Sequence, residues 1–416
     1  METPFWLDSS THRSWLDEQS RTLLRFHRAM LQGEWIVELD DDGRPRTSPE
    51  REGESLLNVT RFTHSFALGE LLGVPGCASL VEAGLRALER HEDSEHGGWW
   101  ELVSPSGPLD RSKTAYGHAH VLLAAGSARQ AGHDTDGLLQ RVTEVLETHF
   151  VESSSGASRE SFEEDWRERE EYRGANSNMH LMEASLCAYD ATGDERHATR
   201  ASAIATQLIH RLARSRDWML AEHYGADWSE RLDYNRERPD DPFRPYGVTI
   251  GHLLEWSRLL VDLDHLARPG DEWAREAATH LFRRALEVGW DEVRGGLAYT
   301  VDFDAGPSNP DKYWWPVAEG IAASAVFLRL TGDSYYDTWY RRFWEFAATY
   351  FVDDVRGGWY CELGPDNERK DGPWYGKPDV YHALQACLLP MLPLAPSAAA
   401  AALGGTGSPP TPADPT

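Results

Sequence analysis

Residues 248–300 read VTIGHLLEWSRLLVDLDHLARPGDEWAREAATHLFRRALEVGWDEVRGGLAYT, and their pattern decides the fold. The first run, VTIGHLLEWSRLLVDL, is apolar on nearly every side of a helix, as an element enclosed by others must be. The turn ARPGD (267–271) stops it, with glycine closing one helix and aspartate opening the next. EWAREAATHLFRRALEV then alternates an apolar stripe with an Arg- and Glu-rich face, which suits an outer layer. The segment closes on WDEVRGGLAYT (290–300), an acidic stretch, a Gly-Gly turn and an aromatic strand, together a short β-hairpin.

The same unit recurs along the chain. Gly-containing turns stand at 72–76 (LGVPG), 130–134 (QAGHD), 191–195 (ATGDE) and 330–334 (LTGDS). The Gly-Gly signature returns as EDSEHGGWWEL (92–102) and VDDVRGGWYCEL (352–363), with GEWIVELDDDGRP near residue 33 as a degenerate member. Outer helices are predicted near 10–31, 77–92, 135–150, 194–213, 271–288 and 333–350; inner ones near 56–73, 111–130, 174–191, 246–266, 312–331 and 378–392. Short turns then gather at one end and long loops at the other. Six such hairpins describe an all-α (α/α)6 barrel with short β-hairpins in its long loops, spanning residues 1–395 as one catalytic domain. An open α-solenoid is the alternative. Residues 396–416 (PSAAAAALGGTGSPPTPADPT) are predicted to form a disordered tail.

Composition narrows the partners. A formal charge of −27 argues against nucleic acid and anionic membranes, because such a surface repels phosphate. No stretch reaches the roughly 18 apolar residues of a membrane span, and the N-terminus lacks the basic and apolar regions of a signal peptide. Four scattered cysteines without CxxC spacing fit free thiols and a cytoplasmic location. The 17 tryptophans and 15 tyrosines suit a site that stacks on sugar rings, or equally a large aromatic core. A monomer and a homodimer are both permitted.

If the long loops ring one mouth, the first turns of the inner helices point into it. In order they supply Arg61 and His64; Tyr116, His118 and His120; Asn176, Asn178 and His180; His252 and Glu255; Trp315 and Glu319; Tyr381 and His382. Arg61, His118, His180, His252, Trp315 and His382 are separated by 57, 62, 72, 63 and 67 residues, about one hairpin each. One histidine on an apolar helix is usually a satisfied core residue; four at equivalent places point to a site. Histidine exchanges protons near neutral pH. Glu255, three residues after His252 and so on the same helix face, is expected to orient that imidazole. Arg61 offers cationic donors to an enediolate or sugar oxygen. Zinc or manganese could use four histidines, but only His118 and His120 form an HxH pair, and one turn of helix does not put both on one face. No metal or other cofactor is therefore expected.

With these residues the chain resembles the N-acylglucosamine 2-epimerase superfamily of (α/α)6 barrels, from about residue 15 to 392. The matching pieces are the Arg of NVTRFTHSF, the NMH of GANSNMHLMEA, the HxxE of GHLLEW and the terminal GKPDVYHALQACLLP, the last most like the branch of mannose and sulfoquinovose isomerases. The resemblance implies metal-free aldose–ketose isomerisation of a monosaccharide, mannose to fructose and by extension lyxose to xylulose. It makes His382 the base at C2 and His252, held by Glu255, the group that opens the ring and shuttles the hydroxyl proton. Arg61, Asn176 and His180 would hold sugar oxygens, and Tyr116 and Trp315 would shape the pocket. Arg244, Glu319, Trp374 and Asp379 are further substrate-binding candidates, with Asp379 equally suited to cap the last inner helix. A sulfonate-bearing sugar would need cationic groups beyond Arg61 and Arg244. Three rivals stay open at this level: a mannose 2-epimerase, an inverting glycoside hydrolase using Glu255 and Glu319, and a non-catalytic sugar-binding protein.

Overall fold

Each of the six inner runs folds as one helix. The computed structural model describes residues 5–405 apart from 267 and 269. Its helices are α1 (Ser10–His27), α2 (Leu56–Leu71), α3 (Cys77–His91), α4 (Ala115–Gln130), α5 (Asp136–Val145), α6 (Ala175–Thr192), α7 (Glu195–Ala205), α8 (Ile250–Asp264), α9 (Ala274–Gly289), α10 (Trp314–Thr331), α11 (Ser334–Tyr350), α12 (Tyr381–Leu388) and α13 (Ala398–Gly405). Both α5 and α7 continue as π-helical turns, to Phe150 and Ala213.

The layering follows from the side chains. Every residue of α10 from Trp314 to Leu328 is buried. The outer α9 buries only a stripe: Ala274, Ala277, Ala278, Leu281, Phe282, Ala285, Leu286 and Gly289. That spacing is one face of a 3.6-residue helix. Gly193 and Gly332 close α6 and α10 with φ of 69° and 66°, and Asp194 and Asp333 then accept from the backbone N–H groups of Arg196 and Tyr335 to start α7 and α11. Glycine adopts that left-handed conformation without a Cβ penalty, and the carboxylate satisfies an orphan donor. Inner helices pack in the ring α2–α4–α6–α8–α10–α12, and α12 returns to α2 and α1. The barrel is closed, which removes the open solenoid.

A collar of short strands rims the long-loop end. The residues before an inner helix pair antiparallel with a strand of the next long loop: Glu54–Ser55 with Leu102–Ser104, Lys113–Thr114 with Ser161–Phe162, Tyr172–Gly174 with His223–Gly225, Val248–Thr249 with Thr300–Val301, and Lys312–Tyr313 with Glu362–Leu363. The sixth joint is a single backbone bond, Lys377 N–H to Leu39 O at 3.0 Å. The three Gly-Gly loops form the anticipated tight hairpins, bridged at Glu92–Trp99, Trp290–Leu297 and Val352–Trp359. Each holds an aspartate that accepts from a buried lysine just upstream of the next inner helix: Asp93–Lys113 at 2.8 Å, Asp291–Lys312 at 3.0 Å and Asp353–Lys377 at 2.7 Å. A fourth hairpin, bridged at Val151–Ser158, uses Glu152 and Arg173 at 2.7 Å in the same way. Charges taken out of water survive only when paired, so these clamps fix each loop relative to the helix whose first turn faces the mouth.

The C-terminus departs from expectation. Residues 398–405, expected within a disordered tail, form α13, and Ala399, Ala401 and Ala402 are buried against α2, α4 and α6 at the short-turn end. Alanine is the strongest helix former and its small side chain fits a narrow opening, so low complexity here encodes a plug. The rest of the expected tail, 406–416, lies outside the described residues. Among the described residues no helix is long and apolar enough to cross a membrane.

Candidate active site

A cavity of about 240 Å³ opens at the collar. Ten of the residues singled out in the sequence line it: Arg61, Tyr116, Asn176, His180, His252, Glu255, Trp315, Trp374, Asp379 and His382. They come from the first two turns of all six inner helices, or, in Trp374 and Asp379, from the segment leading into α12.

Two imidazoles are backed by buried carboxylates. His382 donates from Nδ1 to Glu319 Oε1 at 2.9 Å, and His252 donates from Nδ1 to Glu222 Oε1 at 2.7 Å. A carboxylate can only accept, so each ring carries its proton on Nδ1 and keeps Nε2 as the basic atom when neutral. The indole of Trp315 lies between the two rings, with centroid distances of 5.0 Å to His252 and 5.7 Å to His382. His180 makes a longer contact, Nδ1 to Glu183 Oε2 at 3.4 Å. Burial lowers its pKa to about 4, so it is neutral at physiological pH.

Glu255 does not hold His252. The two side chains start from one helix face, but the Glu255 carboxyl lies 3.9 Å from both His180 Nδ1 and Arg258 Nη2. Neither of its buried oxygens has a hydrogen-bond partner among the described residues. Burial, with Glu319 and Glu183 nearby, raises its pKa well above the usual carboxylate range. Its surroundings thus favour the protonated form of Glu255.

Arg61 donates to the Tyr116 hydroxyl at 2.9 Å and lies 3.5 Å from Asp379. Burial pushes Tyr116 up to about 12, so its hydroxyl stays protonated. Asp379 is held below the usual range because Arg61 and His382 outweigh its burial. It also accepts from the Tyr381 backbone N–H at 3.1 Å, so it caps α12 as well as facing the cavity. Trp374 stands at the rim, edge-on to Trp314 and to the exposed Phe243 at 5.9 and 5.3 Å.

Two candidates lie elsewhere. Arg244 is paired with Glu170 at 2.6 Å and stacked 4.1 Å over Tyr172, and does not line the cavity. Glu319 sits behind His382, where Arg258 Nε also reaches it at 3.2 Å. Nor does His118 join the site. Its Nδ1–H bonds Thr114 O at 2.7 Å and its Nε2 accepts from Trp99 N–H at 3.1 Å, so it pins the first Gly-Gly hairpin. The cavity position on α4 belongs to Tyr116. Sequence reading missed Glu222, Glu183 and Arg258. Glu222 lies in the long loop after α7, just before the strand His223–Gly225, and Glu183 and Arg258 sit one turn deeper on helices already singled out.

The family model described as N-acylglucosamine 2-epimerase matches residues 33–386. The chain belongs to this family. Within the N-acylglucosamine 2-epimerase family it is 46% identical over 392 residues to a D-mannose isomerase of Thermobifida fusca, covering 93% of this chain and 96% of the relative. It is 42% identical to a D-mannose isomerase of Pseudomonas cannabina pv. alisalensis, covering 93% and 94%. A crystal structure of a D-mannose isomerase superposes with a TM-score of 0.86 at 31% identity, covering 92% of this chain and 98% of the other. A cellobiose 2-epimerase from Spirochaeta thermophila, at 20% identity and a TM-score of 0.77, shows the shared (α/α)6 fold, covering 91% and 95%.

Proposed function

We propose that this protein is a D-mannose isomerase, converting D-mannose and D-fructose by moving a proton between C2 and C1 of the open-chain sugar. The observation that carries the reading is the pair of carboxylate-backed imidazoles facing one sugar-sized cavity across Trp315. His382 Nε2 takes the C2 proton of the linear aldose, and Glu319 stabilises the imidazolium that results. As C2–H breaks, electrons move into C1–C2 and onto O1, giving a cis-enediol once O1 is protonated. His252, oriented by Glu222, opens the ring and carries the proton from O2 to O1. His382 returns its proton to C1, and fructose is complete.

The other lining groups hold the sugar. Arg61 and the neutral Glu255 acid donate to oxygens that gain charge. Asn176 and His180 bind hydroxyls, and Trp315 supplies a face for the sugar's C–H groups. The buried Arg258 guanidinium balances the carboxylates Glu183 and Glu319, supplying positive charge where a divalent cation could otherwise sit. An inverting hydrolase fits poorly. Ligand oxygens of Glu255 and Glu319 lie within 4.8 Å of each other, closer than the roughly 6.5–9.5 Å that admits a nucleophilic water. Four buried free cysteines suit a cytoplasmic enzyme.

The test is product analysis from mannose in heavy water, with and without chelator. Fructose, equal in rate under both conditions, supports the proposal. Glucose as the dominant early product would show a 2-epimerase, and a chelator-sensitive rate would defeat the metal-free mechanism.

A further inference from the structure

The three nitrogens of Arg258 each address a different part of the barrel floor. Nε lies 3.2 Å from Glu319 Oε2, Nη1 3.3 Å from Asp262 Oδ2, and Nη2 3.8 Å from Glu183 Oε1 and 3.9 Å from Glu255 Oε1. The side chain is buried, 4% exposed, one turn below the cavity. Beneath it a void of about 10 Å³, room for about one water, is bounded by His64, Leu123, Glu183, Cys187, Leu259, Asp262 and the start of α13 (Ala398 and Ala399) with Pro396 and Ser397. The plug helix is therefore what separates this guanidinium from solvent.

We propose that Arg258, tethered by Asp262 and sealed from water by α13, is a positioning residue of the reaction: it holds the Glu319 and Glu183 carboxylates in place behind His382 and His180. This rests on the isomerase reading of the site. In a sealed floor the attraction between a guanidinium and a carboxylate is strong; with water admitted it is screened. Burial opposes the ionisation of Glu319, and Arg258, followed by His382, more than offsets it, holding Glu319 below its usual range. Glu183 is likewise held low, against its burial, by His180 and Arg258. Asp262 rises to about 7, mainly through burial. The other groups facing this cluster are Arg61 and His64 on α2, Asp190 on α6, His382 on α12, and Tyr381 on α12, whose hydroxyl donates to Glu183. Removing Arg258 leaves Glu183, Glu255, Asp262 and Glu319 sharing a dry space, and each then takes up a proton at higher pH.

The test compares Arg258→Met, Arg258→Lys and Asp262→Asn in the full-length protein, measuring kcat, KM and the pH dependence of fructose formation. Arg258→Met is expected to lower kcat about 100-fold with KM changed less than about three-fold, and to move the acid limb of the profile to higher pH. Arg258→Lys should recover at least about ten-fold of that loss, because charge rather than bulk is at stake. Should Arg258→Met fail to fold, Asp262→Asn decides: a loss of about five-fold or more in kcat with KM changed less than about three-fold supports the proposal. A folded Arg258→Met with unchanged kcat and acid limb, or a folded Asp262→Asn with unchanged kcat, overturns it. Wild-type protein that makes no fructose would overturn the isomerase reading instead, a distinct result.

Discussion

The first turns of α4 and α12 stand at equivalent points of the barrel, and each offers a histidine to the same end. Their fates differ. His118 is fully hydrogen-bonded between Thr114 O and Trp99 N–H and supports a loop. His382 spends only Nδ1 on a carboxylate and lines the cavity. Repeat position alone does not decide which histidine reaches the bore. Helical phase does, together with whether both ring nitrogens already have partners.

The sharpest way to break this comparison is to exchange the roles by mutation. His382→Asn should reduce kcat for fructose formation by about 10³-fold or more, as loss of a general base does, whereas folded His118→Asn should stay within about two-fold of wild type in kcat. A comparable loss in both would erase the distinction. Next in size, Glu222→Gln should lower kcat about 100-fold with little change in KM, because the His252 ring loses its orienting carboxylate. If Glu255→Gln instead reproduced that kcat effect while Glu222→Gln did nothing, the orienting partner would be misassigned.

Stability separates the two histidines in the opposite direction. His118→Asn should cost about 1–3 kcal/mol near pH 7 by leaving Trp99 N–H and Thr114 O unpaired, readable as a fall in Tm. Burial lowers the His118 pKa to about 3 from a usual 6.5. Its contribution is therefore full above about pH 6.5 and is lost as pH falls toward 3, because the unfolded chain takes up the proton first. The gap in Tm between wild type and His118→Asn should narrow from pH 7 to pH 4; a gap that widened would show His118 charged in the fold. The smallest effect is at the rim. Trp374→Ala should raise KM for mannose a few-fold with kcat nearly unchanged, the signature of lost uniform binding.

The inner and outer layers were legible because helical burial leaves a period in the sequence, complete for α10 and one-sided for α9. Most of the cavity was legible because its groups sit in the first turns of helices already located. What could not be read depends on elements that meet only in space. Glu222 reaches His252 from a loop 30 residues upstream, and no local spacing announces that contact. The i,i+3 spacing of His252 and Glu255 places both on one face but says nothing of the direction each side chain takes from it. Arg244 looked available in its loop until Glu170, 74 residues away, closed around it. In α13, alanine carries no periodic mark, since it is equally at home buried or exposed.

The collar has one joint of a different kind. Five are strand pairs between neighbouring stretches of chain, while the sixth, Lys377 N–H to Leu39 O, links the beginning to the end. A ribosome delivers Leu39 long before Lys377. Until α12 emerges, the growing chain is an open arc whose α1 and α2 lack the neighbour that covers their flank, an apolar seam of the kind that invites aggregation. The ring that makes the finished protein compact therefore leaves the nascent one dependent on shelter, or on speed, until its last hairpin is made.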